Sequence, residues 1–266
     1  MRYVVPHHDG DVILSEEARL KTSRKIEWHI YNFFAYSLLT VLGWFVVRDK
    51  DWLPSYLGGH GQFENSFRDM PLLKVDEQVL YYGLFSFGLR TESLFSHLFG
   101  EWGSDFEEML LHDVITVFLF TGYIFSNSLA FGTMIVILHD ASDIIFHFSK
   151  AVNASVFPEE LAAVTFFIGQ IIFAYMRIYC FPQIIYGIAV NSFPIERAYF
   201  NPWLYLNVIF LSILCCMHVL WFYMFQRINL QIISKVQGRI KADEMVISPL
   251  ETKDSLDEDN FTDKAT

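Results

Sequence analysis

Apolar residues along this chain run together instead of alternating. A segment such as "VITVFLFTGYIF" (114–125) is hydrophobic on every side of a helix, whereas the strands of a membrane barrel alternate apolar and polar residues over about ten positions. Runs long enough, or nearly so, to cross a hydrocarbon core of about 30 Å, which takes roughly 20 helical residues, occupy 30–47, 77–98, 109–126, 129–148, 161–187 and 203–233. The pattern predicts an all-α, polytopic membrane protein with about six transmembrane helices. Residues 1–28 mix His7, His8, Glu16, Glu17, Lys21, Arg24 and Lys25 without an apolar segment, so they read as a polar N-terminal segment and not as a cleavable signal. A membrane domain over 29–240 and an acidic tail over 241–266 complete the organisation.

Composition supports the same class: 53% of the residues are hydrophobic and 17% aromatic, with mean hydropathy +0.31, more than a soluble domain of this length carries. Arg19, Lys21, Arg24 and Lys25 precede the first run, and Arg227, Lys235, Arg239 and Lys241 follow the last. By the positive-inside rule both termini are cytosolic. The sequons at Asn153 and Asn260 then face the cytosol and stay unglycosylated. The tail holds eight acidic and three basic side chains of a chain whose net charge is −11, which reads as a solvated, disordered end or a regulatory one, with "SLDE" (255–258) resembling an acidic kinase site. No basic stripe points to nucleic acid. Cys180, Cys215 and Cys216 lie in apolar runs, where a buried small hydrophobe is expected and a disulfide framework is not. The stretch from Arg48 to Val75 is rich in Gly, Pro and aromatic residues and reads either as an ordered outer cap or as a plain connector.

Against this apolar background the titratable residues stand out, because a charge at the bilayer centre costs about 2.5–3.5 kcal/mol on insertion scales. "LHDASDIIFH" (138–147) carries His139, Asp140, Asp143 and His147 at spacings that let them share roughly one helix face. His112 and Asp113 lie near the start of the preceding run, and "SNS" (126–128) between the two suits a tight hairpin. His112 is fifteen residues before Asn127 and Asp143 sixteen after it, each about 22–24 Å along its helix. The two therefore lie at one depth, with His139 a turn away, in the cytosolic half of the membrane. Arg177 and His218 sit in later apolar runs and face either the same interior or a helix-packing contact. His7, His8, His29, His60 and His97 are near ends or loops, where solvation is expected for most.

Imidazole can take a proton from an amine or hydroxyl, or itself accept an acyl group, and a carboxylate on its other nitrogen fixes the tautomer. That equipment fits acyl transfer. A membrane di-iron oxygenase needs about eight histidines in tight groups, which are absent. Two histidines and an aspartate could hold zinc, although no HExxH pattern is present. Neither a G-x-S-x-G elbow nor a P-loop occurs.

The same residues resemble the ceramide synthases of the TLC-domain group. "DFEEMLLHDVIT" supplies Asp105, Phe106, His112 and Thr116 of the family's entry segment; "SNSLAFGT" supplies Asn127, Gly132 and Thr133; "LHDASD" supplies His139, Asp140 and Asp143; "KAVN" supplies Lys150 and Asn153. Downstream, "RIYCFP" is similar to an Arg-x4-Pro step with Arg177 and Pro182, and "MHVLWFY" to a segment with His218 and Trp221. The likeness covers roughly residues 24–240. Asp113 stands where the family has a second adjacent histidine, Ala130 where an arginine is common, and His147 where a glutamate follows the Ser-Asp pair. The chain also resembles a minimal core, without the extra N-terminal span and homeobox-like insert of many animal members.

The resemblance implies a TLC-type helical barrel in the endoplasmic reticulum membrane that N-acylates a sphingoid long-chain base with a fatty acyl-CoA. On that reading His112 attacks or positions the thioester carbonyl, or deprotonates the amine, with Asp113 as an orienting partner and His139, Asp140 and Asp143 orienting and balancing charge. Arg177 meets a polar headgroup, His218 assists proton transfer, and Asn127 and Trp221 join the substrate-binding set. No metal or cofactor beyond acyl-CoA as cosubstrate is implied. The implied partners are the sphingoid base, membrane lipids, and further copies or relatives in an oligomer. Direct transfer and an acyl-histidine intermediate both stay open, as does a non-catalytic TLC relative that binds lipid or assists membrane-protein assembly.

Overall fold

In the computed structural model, residues 8–9, 12–13, 16–68, 70, 74, 76–99, 106–192 and 202–236 are described. The calls on Asp105, Asn260 and the acidic tail lie outside them. Helices α1 (Glu16–Val47), α2 (Glu77–Phe99), α3 (Phe106–Phe125), α4 (Leu129–Asn153), α5 (Glu159–Phe173), α6 (Phe181–Ser192) and α7 (Trp203–Val236) build an all-α membrane fold. A π-helical stretch, Ala174–Cys180, joins α5 and α6 into one rod. The β content among the described residues is a hairpin of two-residue strands, β1 (His8–Asp9) and β2 (Val12–Ile13).

Among the described residues, five helices can by length and composition cross a membrane: Arg19–Val47, Phe106–Phe125, Leu129–Asn153, Glu160–Ser192 and Trp203–Gln231. The sequence predicts six. The difference is α2, which at 23 residues is about 34 Å long but too polar, because Glu77, Arg90, Glu92 and several Ser, Thr and Gln residues interrupt its apolar run. Helix α1 also begins well before the predicted 30–47, so much of the N-terminal polar segment continues the first span as helix.

Helix α4 is the axis of the fold. Sixty-one per cent of its apolar window is buried, against 22–33% for the other four, and α1 and α5 pack along it. Its small residues Ala130, Gly132, Thr133 and Ser142 are buried, and small side chains let membrane helices approach closely. At Gly132 a Cβ would lie 2.6 Å from the ring of Tyr123 on α3. The α3–α4 hairpin turns at Ser126–Ser128 with Asn127 at φ 54°, a left-handed position that Asn tolerates better than most residues. The Ser126 and Ser128 hydroxyls bond each other at 2.7 Å, and the Ser128 N–H donates to the Tyr123 carbonyl at 2.8 Å. Toward the other end, a part-buried amide trio ties α5 to α7: Gln170 Nε2 donates to Asn229 Oδ1 at 2.9 Å, Asn229 Nδ2 returns to Gln170 Oε1 at 2.5 Å, and Gln226 Nε2 donates to the same oxygen at 3.2 Å. Outward, large apolar side chains such as Phe34, Phe45, Val164, Phe167 and Tyr223 are exposed, as a lipid-facing surface requires. Cys180 is buried and Cys215 half-buried, but Cys216 is exposed, contrary to the expected burial; adjacent helix positions point about 100° apart.

The described part of the stretch after α1 is an ordered cap, which decides between the two readings of that segment. Short 3₁₀ turns at Ser55–Leu57 and Phe63–Phe67 fold it back, a bridge joins Pro54 to Gly61, and Asn65 Nδ2 donates to the Asp51 carbonyl at 2.8 Å. Asp76 caps α2 by accepting the Gln78 and Val79 N–H groups at 3.1 and 3.4 Å, and it pairs with Lys50. Partial burial alone would raise its carboxyl, but Lys50 and the two backbone donors outweigh this and hold it below the usual carboxylate range. Phe63 and Phe67 plug the helices: Phe67 stacks on Phe131 of α4 with ring centroids 5.5 Å apart, and a Cβ on Gly187 of α6 would lie 2.4 Å from Phe63 Cε1. The Tyr175 hydroxyl clamps the cap by donating to the Tyr56 carbonyl at 2.8 Å.

Gly187→Val should therefore destabilise the fold by about 1–3 kcal/mol through overpacking, read as a lower thermal midpoint in detergent. Combined with Phe63→Ala, the total loss should fall short of the sum of the two single losses; additive losses would show that the Phe63 contact is not the cause.

Candidate functional site

The four titratable residues of "LHDASDIIFH" do not share one face. A helix turns about 100° per residue, and the structure uses that rotation to send them to different neighbours. Asp140 turns to α2 and pairs with Arg90, whose Nη1 donates to the Tyr36 hydroxyl of α1 at 3.0 Å and whose guanidinium lies 4.9 Å from the Tyr36 ring centroid. Asp143 turns to the π stretch and accepts from Arg177 Nη2 at 2.5 Å. His147 turns to α1, with its Nδ1 3.1 Å from that of His29. The Arg90–Asp140 pair is largely buried, its side chains being 11% and 0% exposed, and in the second pair Arg177 is 4% exposed and Asp143 25%.

Arg177 gathers the rest of this layer. Its Nε donates to Ser142 Oγ at 2.7 Å, Nη2 also reaches the His139 carbonyl at 3.3 Å, and Nη1 donates to His218 Nε2 at 3.3 Å. The π stretch carries it there: the Phe181 N–H reaches back to the Met176 carbonyl, and Pro182 next in line has no N–H to continue the ordinary ladder.

On α3, Asp113 is buried and shared. Its Oδ1 lies 3.3 Å from His112 Nδ1, and its Oδ2 lies 2.5 Å from His97 Nδ1 and accepts from Ser93 Oγ at 3.2 Å, both on α2. A carboxylate only accepts, so His112 donates from Nδ1 and leaves Nε2 bare. His139 Nδ1 donates to the Ile135 carbonyl at 2.7 Å, which leaves its Nε2 bare as well. Among the described residues neither Nε2 has a hydrogen-bond partner, nor has His218 Nδ1. The imidazoles of His139 and His218 are 5.1 Å apart, and Trp221 packs 5.5 Å from His112 and 5.9 Å from His218.

His112 and His139 line one cavity, together with Arg90 and Asp143 and an apolar wall that includes Leu119, Phe120, Ile135 and Leu211. Its far end reaches Tyr123, Phe131 and Asn207, beneath the cap. A narrow apolar space with two basic nitrogens at one level can hold an alkyl chain and move a proton at its reactive end.

The structure thus puts His112, His139 and Asp143 on one cavity, with Asp113, Arg177, His218 and Trp221 in contact with them. It sets the charge balance differently from the sequence reading: His112 meets Asp113, while Asp140 and Asp143 are engaged by arginines. Arg177 directs four hydrogen bonds to protein groups. Asn127 lies in the hairpin turn and is not on the cavity wall. His29 and His97, expected in water, are paired with His147 and Asp113; His60 is exposed. Sequence reasoning missed Arg90, Tyr36, Ser93 and Ser142, although Arg90 was visible as a lone charge inside an apolar run, the signal that picked out Arg177. Zinc needs converging donors, and among the described residues no three His, Cys, Asp or Glu side chains form such a group.

Arg90→Leu should leave Asp140 buried without a partner and cost about 3–5 kcal/mol, measured by unfolding in lipid or detergent. The double variant Arg90→Leu/Asp140→Leu should be more stable than the single one.

The TLC-domain profile, covering the TRAM, LAG1 and CLN8 proteins, matches residues 25–227. The chain is 29% identical to ceramide synthase 4 of Homo sapiens over 155 residues, 58% of this chain and 38% of that protein. It is 26% identical to ceramide synthase 4 of Mus musculus over 91% of this chain and 58% of that protein, and 26% identical to ceramide synthase LOH1 of Arabidopsis thaliana over 87% and 74%. It therefore spans less than two thirds of the length of the two mammalian relatives. A profile match over most of the membrane helices shows that the chain belongs to the TLC-domain family, and the relatives named above are ceramide synthases.

Proposed function

We propose that this protein is an acyl-CoA-dependent N-acyltransferase that joins a fatty acyl group to the amine of a sphingoid long-chain base, giving ceramide or dihydroceramide within the membrane. The observation that carries the reading is His112 on the wall of an apolar cavity, with Nδ1 on Asp113 and Nε2 bare. The names of the relatives favour the same substrates.

In the reaction the amine nitrogen attacks the thioester carbonyl, a C–N bond forms and the C–S bond breaks. His112 Nε2 takes a proton from the attacking amine, and the Asp113 carboxylate stabilises the imidazolium, as in a triad. That proton can pass to the departing CoA thiolate. Alternatively Nε2 attacks first and carries the acyl group to the amine. His139, with its own bare Nε2, is placed as a second acceptor. Arg177 holds His139, Asp143 and His218 in register. The acyl chain lies along the apolar wall toward Phe131. Trp221 shapes the space beside His112. Localisation in the endoplasmic reticulum with cytosolic termini, which requires the more polar α2 to cross as a sixth span against α3 and α4, acyl-CoA approach from the cytosol and assembly with further copies belong to the same proposal.

Purified protein given sphinganine and labelled acyl-CoA of several chain lengths should form labelled ceramide, and His112→Ala should lower kcat by about 10²–10⁴-fold. No product from the wild type at any chain length would leave the lipid-binding reading in place. Incubation with acyl-CoA alone, followed by mass spectrometry of the peptide containing His112, separates the two routes: an acylated His112 marks the two-step path and its absence marks direct transfer.

A further inference from the structure

Position 113 faces two imidazoles. His97 Nδ1 and Ser93 Oγ approach Oδ2 of Asp113 from α2 at 2.5 and 3.2 Å, while His112 Nδ1 approaches Oδ1 from α3 at 3.3 Å. Residues 112 and 113 are neighbours on one helix, so their side chains leave the axis about 100° apart. Nothing in α3 itself brings the carboxylate round to His112. Helix α2 does, because it packs along α3 and two of its donors hold the far oxygen. The contact from His97 is also the shorter of the two imidazole contacts, so Asp113 is anchored from α2 and offers its remaining oxygen to His112.

The reaction depends on which nitrogen of His112 carries the proton. With the proton on Nδ1, Nε2 is a base or nucleophile toward the cavity; with the proton on Nε2, it is neither. Only an acceptor at Nδ1 decides between them, and the acceptor is Asp113. We propose that His97 is a positioning residue for acyl transfer, holding Asp113 so that His112 keeps its proton on Nδ1 and its lone pair on Nε2. The proposal rests on reading His112 as the reacting imidazole. His97 itself touches no reacting atom.

The full-length protein in lipid nanodiscs supplies the test. His97→Ala should lower kcat by about 10–100-fold, the usual effect of losing an outer partner of a functional histidine, and leave KM for acyl-CoA within about twofold, because no substrate contact is removed. His97→Asn keeps an N–H donor near the place of Nδ1 and should restore most of kcat. Nitrogen-labelled histidine NMR should show His112 protonated at Nδ1 in the wild type and in His97→Asn, and a mixture of tautomers in His97→Ala. An unchanged His112 tautomer in a folded His97→Ala variant overturns the proposal, as does an Asn variant that loses as much kcat as the Ala variant. A wild type that makes no amide overturns the acyltransferase reading instead, and the tautomer comparison still decides the role of His97.

Discussion

Two arginine–aspartate pairs inside the membrane set the terms for everything around them. Neither Arg90 nor Asp140 can stand alone in a low-dielectric interior, and the same holds for Arg177 and Asp143. Because both aspartates belong to α4, the need for pairing fixes α4 against α2 on one side and against the π stretch on the other. The apolar surfaces of membrane helices give little direction to their packing, since lipid competes equally for them. The charges supply that direction. They fix the rotation of α4, and with it the positions of His139, Ser142 and the cavity wall.

The same economy governs the histidines. In each of the three around the cavity, the partner of one ring nitrogen determines what the other offers: a carboxylate for His112, a backbone carbonyl for His139, a guanidinium for His218. His112 and His139 consequently present lone pairs, whereas His218 presents a proton on Nδ1. One layer of side chains thus contains two acceptors and a donor, without any of the rings differing in composition.

Much of this was legible in the amino-acid sequence. The helical class follows from apolar runs too uniform for strands, the hairpin from Ser-Asn-Ser between two of them, and the shared depth of His112 and Asp143 from counting residues to the turn. What counting cannot supply is azimuth. His139 and Asp140 are adjacent, and only the neighbouring helices determine that one faces the cavity and the other faces Arg90. Arg90 was overlooked because it follows "LFSFGL" in a run that was read for its length, and His97 because a histidine near a helix end ordinarily reaches water. Asp113 was recognised as a departure from the family motif, but its second imidazole comes from α2, and a partner sixteen residues away in sequence leaves no local pattern. The loop after α1 showed its aromatic content, not that two of those rings would enter the helical bundle.

The cap also has a bearing on the cavity that its position in the sequence conceals. Phe131 forms part of the cavity wall on one side and stacks on Phe67 on the other. A side chain from a connecting segment thereby backs the end-stop of a compartment built by the helices. The depth available to an alkyl chain is then a joint property of a helix and a loop, so the dimension of the compartment can change through substitutions in the loop while the polar layer remains untouched.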